Sequence, residues 1–128
     1  MKIAVEDLIV WQRSMNLAVR IHGVVLSQAF RQDWDFRGQM RRASTSVPFN
    51  LSEGYEKGTI RDAVKFYYIA KGSAGELRTQ CVLAGRIGYL SKEEAMALSG
   101  ECTEVARMIM GLIRSTTERA NFQPNKTK

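Results

Sequence analysis

The segment Ser46-Val47-Pro48-Phe49-Asn50-Leu51-Ser52-Glu53-Gly54 restricts this chain more than any other. Its apolar residues recur at helical spacing, from Met40, Ala43 and Val47 to Leu51, yet a proline stands among them. Proline inside a helix removes one backbone hydrogen bond and clashes with the preceding turn, at a cost of about 3 kcal/mol. The sequence therefore predicts a helix kinked at Pro48, with the Ser44 carbonyl satisfied by a hydroxyl of Ser44 or Ser46 or by water. The segment Ile69-Ala70-Lys71-Gly72-Ser73-Ala74-Gly75-Glu76-Leu77 has the same character. Gly72 and Gly75 sit at helical positions where each is about 1 kcal/mol worse than alanine. Close approach of a neighbouring helix is the reading that explains both glycines.

Strand signals are absent, with no alternating apolar run and no hairpin dipeptide. Four helices are predicted: Glu6 to Phe30, Asp35 to Glu56, Ile60 to Tyr89 and Lys92 to Thr117. The breaks carry capping chemistry. Gln32-Asp33-Trp34-Asp35 precedes the second helix, Thr59 with Asp62 opens the third, and Ser91-Lys92-Glu93-Glu94 is a capping box before the fourth. Connections this short favour antiparallel neighbours, so the fold class is an all-α, up-down-up-down four-helix bundle. It occupies residues 1–120, and residues 121–128 read as a polar, disordered tail.

The apolar stripes agree. The fourth helix places Ala95, Leu98, Cys102, Val105, Ile109, Leu112 and Thr116 at steps of three and four. The third does so with Ala63, Phe66, Ala70, Ser73, Leu77, Cys81, Ala84 and Gly88, and the second with Phe36, Met40, Ala43, Val47, Leu51 and Gly54. Such spacing forms a bundle seam. The first helix has two stripes, Leu8-Trp11-Met15-Ala18-His22-Val25-Ala29 and Val10-Leu17-Ile21-Val24. A monomeric bundle needs one. Self-association is expected from the extra width.

Composition excludes several classes. No apolar run approaches the roughly 18 residues of a membrane span, and acids stand where a signal peptide would have its apolar core. A cytoplasmic protein without membrane contact is expected. Cys81 and Cys102 read as small buried hydrophobes in a reducing compartment. One histidine and no close Cys/His cluster argue against a metal, and no cofactor motif is present. His22 reads as a satisfied core residue. The positions three before and three after it are Val19 and Val25, so the Glu-x-x-His of di-metal bundles is missing. With no nucleophile elbow and no phosphate-binding glycine loop, a non-enzymatic protein is expected.

Reversal of the chain around Lys57-Gly58 would bring Ala43 near Ser73, Gln39 near Glu76 and Asn50 near Phe66. Gln39, Asn50, Glu53, Ser73 and Glu76 then read as a buried polar network fixing register, alongside Pro48, Gly54 and Gly72. A ligand pocket built from the same groups is the alternative. The net charge of +6 favours polyanionic partners. Arg37, Arg41, Arg42, Lys57, Arg61, Lys65, Lys71 and Arg78 are the candidate contacts to RNA or DNA. Arg37 with Arg41, and Arg61 with Lys65, are four apart and share a helix face. Their plainer reading is solvation or pairing, for example Arg42 with Glu76. A scaffold binding a protein partner through Trp34, Tyr55 and Tyr68 is the other function class.

Taken together, four blocks resemble the large-subunit (23S) ribosomal RNA intervening-sequence protein family. They are Val5-Glu6-Asp7-Leu8-Ile9-Val10-Trp11-Gln12, Gln39-Met40-Arg41-Arg42-Ala43, Ser46 to Gly54, and Phe66 to Leu77. The likeness runs from Val5 to about Ile113. It departs at Val5, where the family has an aromatic residue, and at Leu51-Ser52, where the family has an aliphatic residue and alanine. The resemblance implies an up-down-up-down bundle assembled as a ring-like homopentamer, with an unsettled biochemical role. A more distant likeness, to the accessory protein of diversity-generating retroelements, implies nucleic acid as a partner by analogy of fold alone.

Overall fold

A computed structural model describes residues 3–121; of the tail expected at 121–128, Asn121 is instead the last residue of a helix, and 122–128 lie outside the described residues. Within them the chain is helical, without strands: α1 (Ile9–Val24), α2 (Trp34–Tyr55), α3 (Ile60–Arg86) and α4 (Lys92–Asn121). α1 packs on α2 and α4, and α3 packs on α2 and α4, so α1 and α3 stand diagonally across the bundle.

The first helix is shorter than its periodicity suggests. Val5–Asp7 form a single 3-10 turn, Leu8 is extended, and a second 3-10 turn at Gln28–Phe30 follows the end of α1. Phe30 is fully buried against Phe36 and Tyr89, with centroids 6.0 and 5.0 Å away, which fixes the turn as a plug rather than a helical continuation. α3 stops at Arg86, before the expected Tyr89. Gly88 takes the left-handed conformation at φ 83°, and Tyr89 N–H returns to the Ala84 carbonyl at 2.9 Å. The three predicted caps form: Asp33 Oδ1 accepts from Phe36 N–H, Thr59 Oγ1 from Asp62 N–H, and Ser91 Oγ from Glu94 N–H.

The core follows most of the stripes, with corrections. In α3 it runs Ala63, Tyr67, Ala70, Ala74, Leu77, Cys81 and Ala84, so Tyr67 and Ala74 replace Phe66 and Ser73. In α4 Ile113, not Leu112, is buried. α1 buries Val10, Leu17, Ala18 and Ile21, while His22 is exposed, with Nδ1 2.9 Å from the Ala18 carbonyl of its own helix. Histidine in the core is thus overturned: position 22 is exposed, beside the buried Ala18 and Ile21.

Pro48 is buried inside a helix that runs unbroken from Trp34 to Tyr55. Before it, Ser44 and Thr45 hydroxyls donate to the Arg41 carbonyl at 2.8 and 3.1 Å. Ser44 and Ser46 hydroxyls therefore have other partners than the Ser44 carbonyl, Ser46 being bonded across to α3.

Candidate nucleic-acid interface

The predicted meeting of α2 and α3 is present. Ser46 Oγ and Ser73 Oγ are 2.7 Å apart, and Asn50 Nδ2 donates to the Ser46 carbonyl (2.8 Å) and Oγ (3.0 Å). Gln39, Arg42, Ala43, Ser46, Ser73 and Glu76 line one open groove, so Gln39 comes to Glu76 and Ala43 to Ser73 as the sequence suggested. The buried network, however, does not form. Gln39, Glu53 and Glu76 are exposed; Gln39 bonds Asp35 within its helix and Glu53 pairs with Lys57 at 3.2 Å. Only Asn50, Ser46 and Ser73 are joined, and they are half-buried. Hydrogen bonds at a groove edge set register without removing charge from water, which avoids the large cost of burying carboxylates.

The glycines divide. Gly54 is where helices press together: a Cβ there would lie 2.7 Å from Tyr67 Cε1 and 2.9 Å from the Ala63 carbonyl. Gly72 and Gly75 meet nothing within 4 Å and are exposed, so close packing inside this chain does not explain them.

The eight candidate cations fall in separate places. Arg37 lies over the Trp34 ring, 4.7 Å from its centroid, with Nε buried and without a hydrogen-bond partner. Arg41 is half-buried on α2, and Arg42 folds back towards Gly38 rather than pairing with Glu76. Lys57 pairs with Glu53 and sits 4.9 Å from the Phe66 centroid. Arg61 and Lys65 line one exposed hollow with Thr59 and Asp62 at the start of α3. Lys71 is half-buried, and Arg78 Nε reaches across to Thr103 of α4 at 3.2 Å. Among the described residues, Lys57 alone of the eight makes an ion pair.

Two contacts escaped the sequence reading. Trp11 Nε1 donates to Ser52 Oγ at 2.9 Å, so the departure at Ser52 supplies an acceptor for α1. Arg13 pairs with Glu101 at 2.6 Å and ties α1 to α4. Both link residues far apart in the chain, where spacing carries no signal. The expected partner surface is also uneven: Trp34 and Tyr68 are exposed, but Tyr55 is half-buried and donates its hydroxyl to the Ile3 carbonyl.

The family model of the 23S rRNA-intervening sequence protein matches residues 6–111. The chain belongs to that family. Its match takes in α1, α2 and α3 whole and the first two-thirds of α4. A protein of unknown function from the S23 ribosomal protein family of Bacteroides thetaiotaomicron is similar in structure. It aligns with TM-score 0.76 and 22% identity over 82% of this chain and 98% of its own. At that identity the likeness concerns the fold. No curated protein matches the chain. None of the helices among the described residues is long and apolar enough to cross a membrane.

Proposed function

We propose that this member of the intervening-sequence protein family is a non-enzymatic, self-assembling bundle that contacts RNA or DNA through phosphates. Its helices run up-down-up-down, and the pairs Gly54–Tyr67, Ser46–Ser73 and Gln39–Glu76 support an antiparallel α2 and α3. Assembly as a homopentamer, the form implied for the family, would repeat each basic residue five times. The observation carrying the nucleic-acid reading is that seven of the eight candidate cations form no ion pair among the described residues. Guanidinium forks suit phosphate oxygens, and backbone contacts of this kind position a protein with little base selectivity.

The test is binding of the purified, size-checked protein to labelled structured RNA and duplex DNA across a salt series. Affinity falling steeply with salt supports phosphate contact, because the slope counts the counterions released. Arg37, Arg41 and Arg42 changed together to Glu should abolish binding with helicity and assembly intact. Because Arg37 is stacked on Trp34, the exposed pair Arg61→Glu with Lys65→Glu is the control for folding. Binding that survives both variants rejects this surface. No binding at low salt favours the alternative, a scaffold for a protein partner, to which Trp34 and Phe49, 73% and 65% exposed, are suited.

A further inference from the structure

The outward faces of the four helices differ in charge. α2 presents Asp35, Arg42, Glu53 and, just past its end, Glu56 to solvent, and α4 presents Glu93, Arg107, Arg114 and Glu118. The outward line of α1 is Ile9, Gln12, Asn16, Val19, Gly23 and, just past its end, Leu26, all exposed and all uncharged. Ile9, Val19 and Leu26 are each about two-thirds exposed, at 64%, 67% and 67%. Steps of three and four along this line are those of a helix–helix seam. Between exposed Arg61 and Lys65 at its start and Arg86 at its end, the outward line of α3 is Tyr68, Gly72, Gly75, Thr79 and Leu83, again exposed and uncharged. Its two glycines have open space outside them, which leaves a notch between Tyr68 and Leu83.

We infer that α1 of one copy packs antiparallel along α3 of the next, with Val19 seated in the Gly72–Gly75 notch. The partner is thus a second copy of this chain, and the inference rests on the self-assembly reading above. Charge complementarity selects both partner and direction. Arg20, beside Val19, and Glu76, beside Gly75, are exposed and make no ion pair among the described residues. At about 100° per residue, each stands clockwise of its seam when viewed from the N-terminal end of its own helix. Facing seams bring these two flanks together only when the helices run antiparallel. Because α1 and α3 are diagonal in the bundle, each copy has one seam of each kind on opposite sides. The contact is therefore heterologous, the kind that generates rings when the rotation closes.

Both seams are exposed, so substitutions there leave the bundle fold intact and act on assembly. Val19→Glu and Gly72→Glu should each convert the wild-type assembly to monomer by light scattering, with an unchanged helical spectrum. Mixed together they should give a species of twice the monomer mass, because each retains one intact seam. Arg20→Glu and Glu76→Arg should each weaken assembly by roughly fivefold per interface, the upper range for an exposed pair, and the double exchange should restore it. A wild-type chain that is monomeric overturns both this inference and self-assembly. A wild-type assembly that survives both Glu variants, is lost with one only, or yields no mixed species overturns the α1–α3 contact while self-assembly stands.

Discussion

Gly54 of α2 lies against Tyr67 of α3 so closely that a methyl group on its α-carbon would sit 2.7 Å from the ring. The Ala63 carbonyl, 2.9 Å from the same point, is backbone and cannot swing aside. Tyr67 is itself almost wholly buried, and its ring can shift only towards the hollow that it lines with Gly54, Leu8 and Leu112. Overpacking of this kind costs about 1–3 kcal/mol. Gly54→Ala is expected to lower the melting temperature by several degrees, and an unchanged calorimetric midpoint would refute the contact.

Ser52 is the acceptor for Trp11, joining α1 to α2 at 2.9 Å. In Ser52→Ala the indole N–H loses its partner in a half-buried place, at about 1 kcal/mol. Denaturant titration should show a lower midpoint with an unchanged slope. Trp11→Phe on the same background should add less than it does alone, because the shared bond is already gone.

Tyr89 donates its hydroxyl to Asp33 Oδ2 at 2.9 Å, while Oδ1 of the same carboxylate caps α2. The bond to Asp33, followed by burial, raises the Tyr89 pKa above the ordinary tyrosine value. A raised folded pKa means that the folded state holds its proton more tightly. The stabilisation is complete below the unfolded value near pH 10 and is lost as pH rises through the folded value. Stability measured from pH 8 upward should decline on the alkaline side, and Tyr89→Phe should flatten that decline. Identical profiles for the two proteins would count against the bond.

Cys81 and Cys102 meet in the core between α3 and α4 as buried free thiols. The hydrogen bond that its S–H donates to Cys81, reinforced by burial, holds the Cys102 thiol well above its ordinary range. Only the thiolate reacts. Alkylation of Cys102 in the native protein should proceed no faster than global unfolding and accelerate in parallel with it under denaturant. Rapid labelling of the folded chain would contradict this burial.

Periodicity and capping made the helices legible in advance, because both depend on residues within four positions of each other. Asp33, Thr59 and Ser91 show this at three helix starts. Where the reading failed, the deciding partner lay elsewhere in the chain. Phe66 and Tyr67 are adjacent and both bulky; packing beside Gly54 selected Tyr67 for the core and left Phe66 half-buried beneath Lys57. The candidate polar motif was half legible: the α2–α3 register was foreseen, but its exposure was not. A carboxylate at helical spacing looks the same in sequence whether its groove is open or closed.

The sequence by itself determined that this chain makes four amphipathic helices with short breaks, since spacing and caps act through local geometry. It also marked the tolerance for Pro48 and the small residues of α3 as features needing a cause. Tertiary structure decided where such residues lie and what they meet. It set Gly54 against Tyr67, gave Ser52 to Trp11, and left Gly72 and Gly75 facing outward on an uncharged line. Which side of a helix meets a neighbour depends on the orientation and distance of that neighbour, and these follow from the packing of the whole bundle.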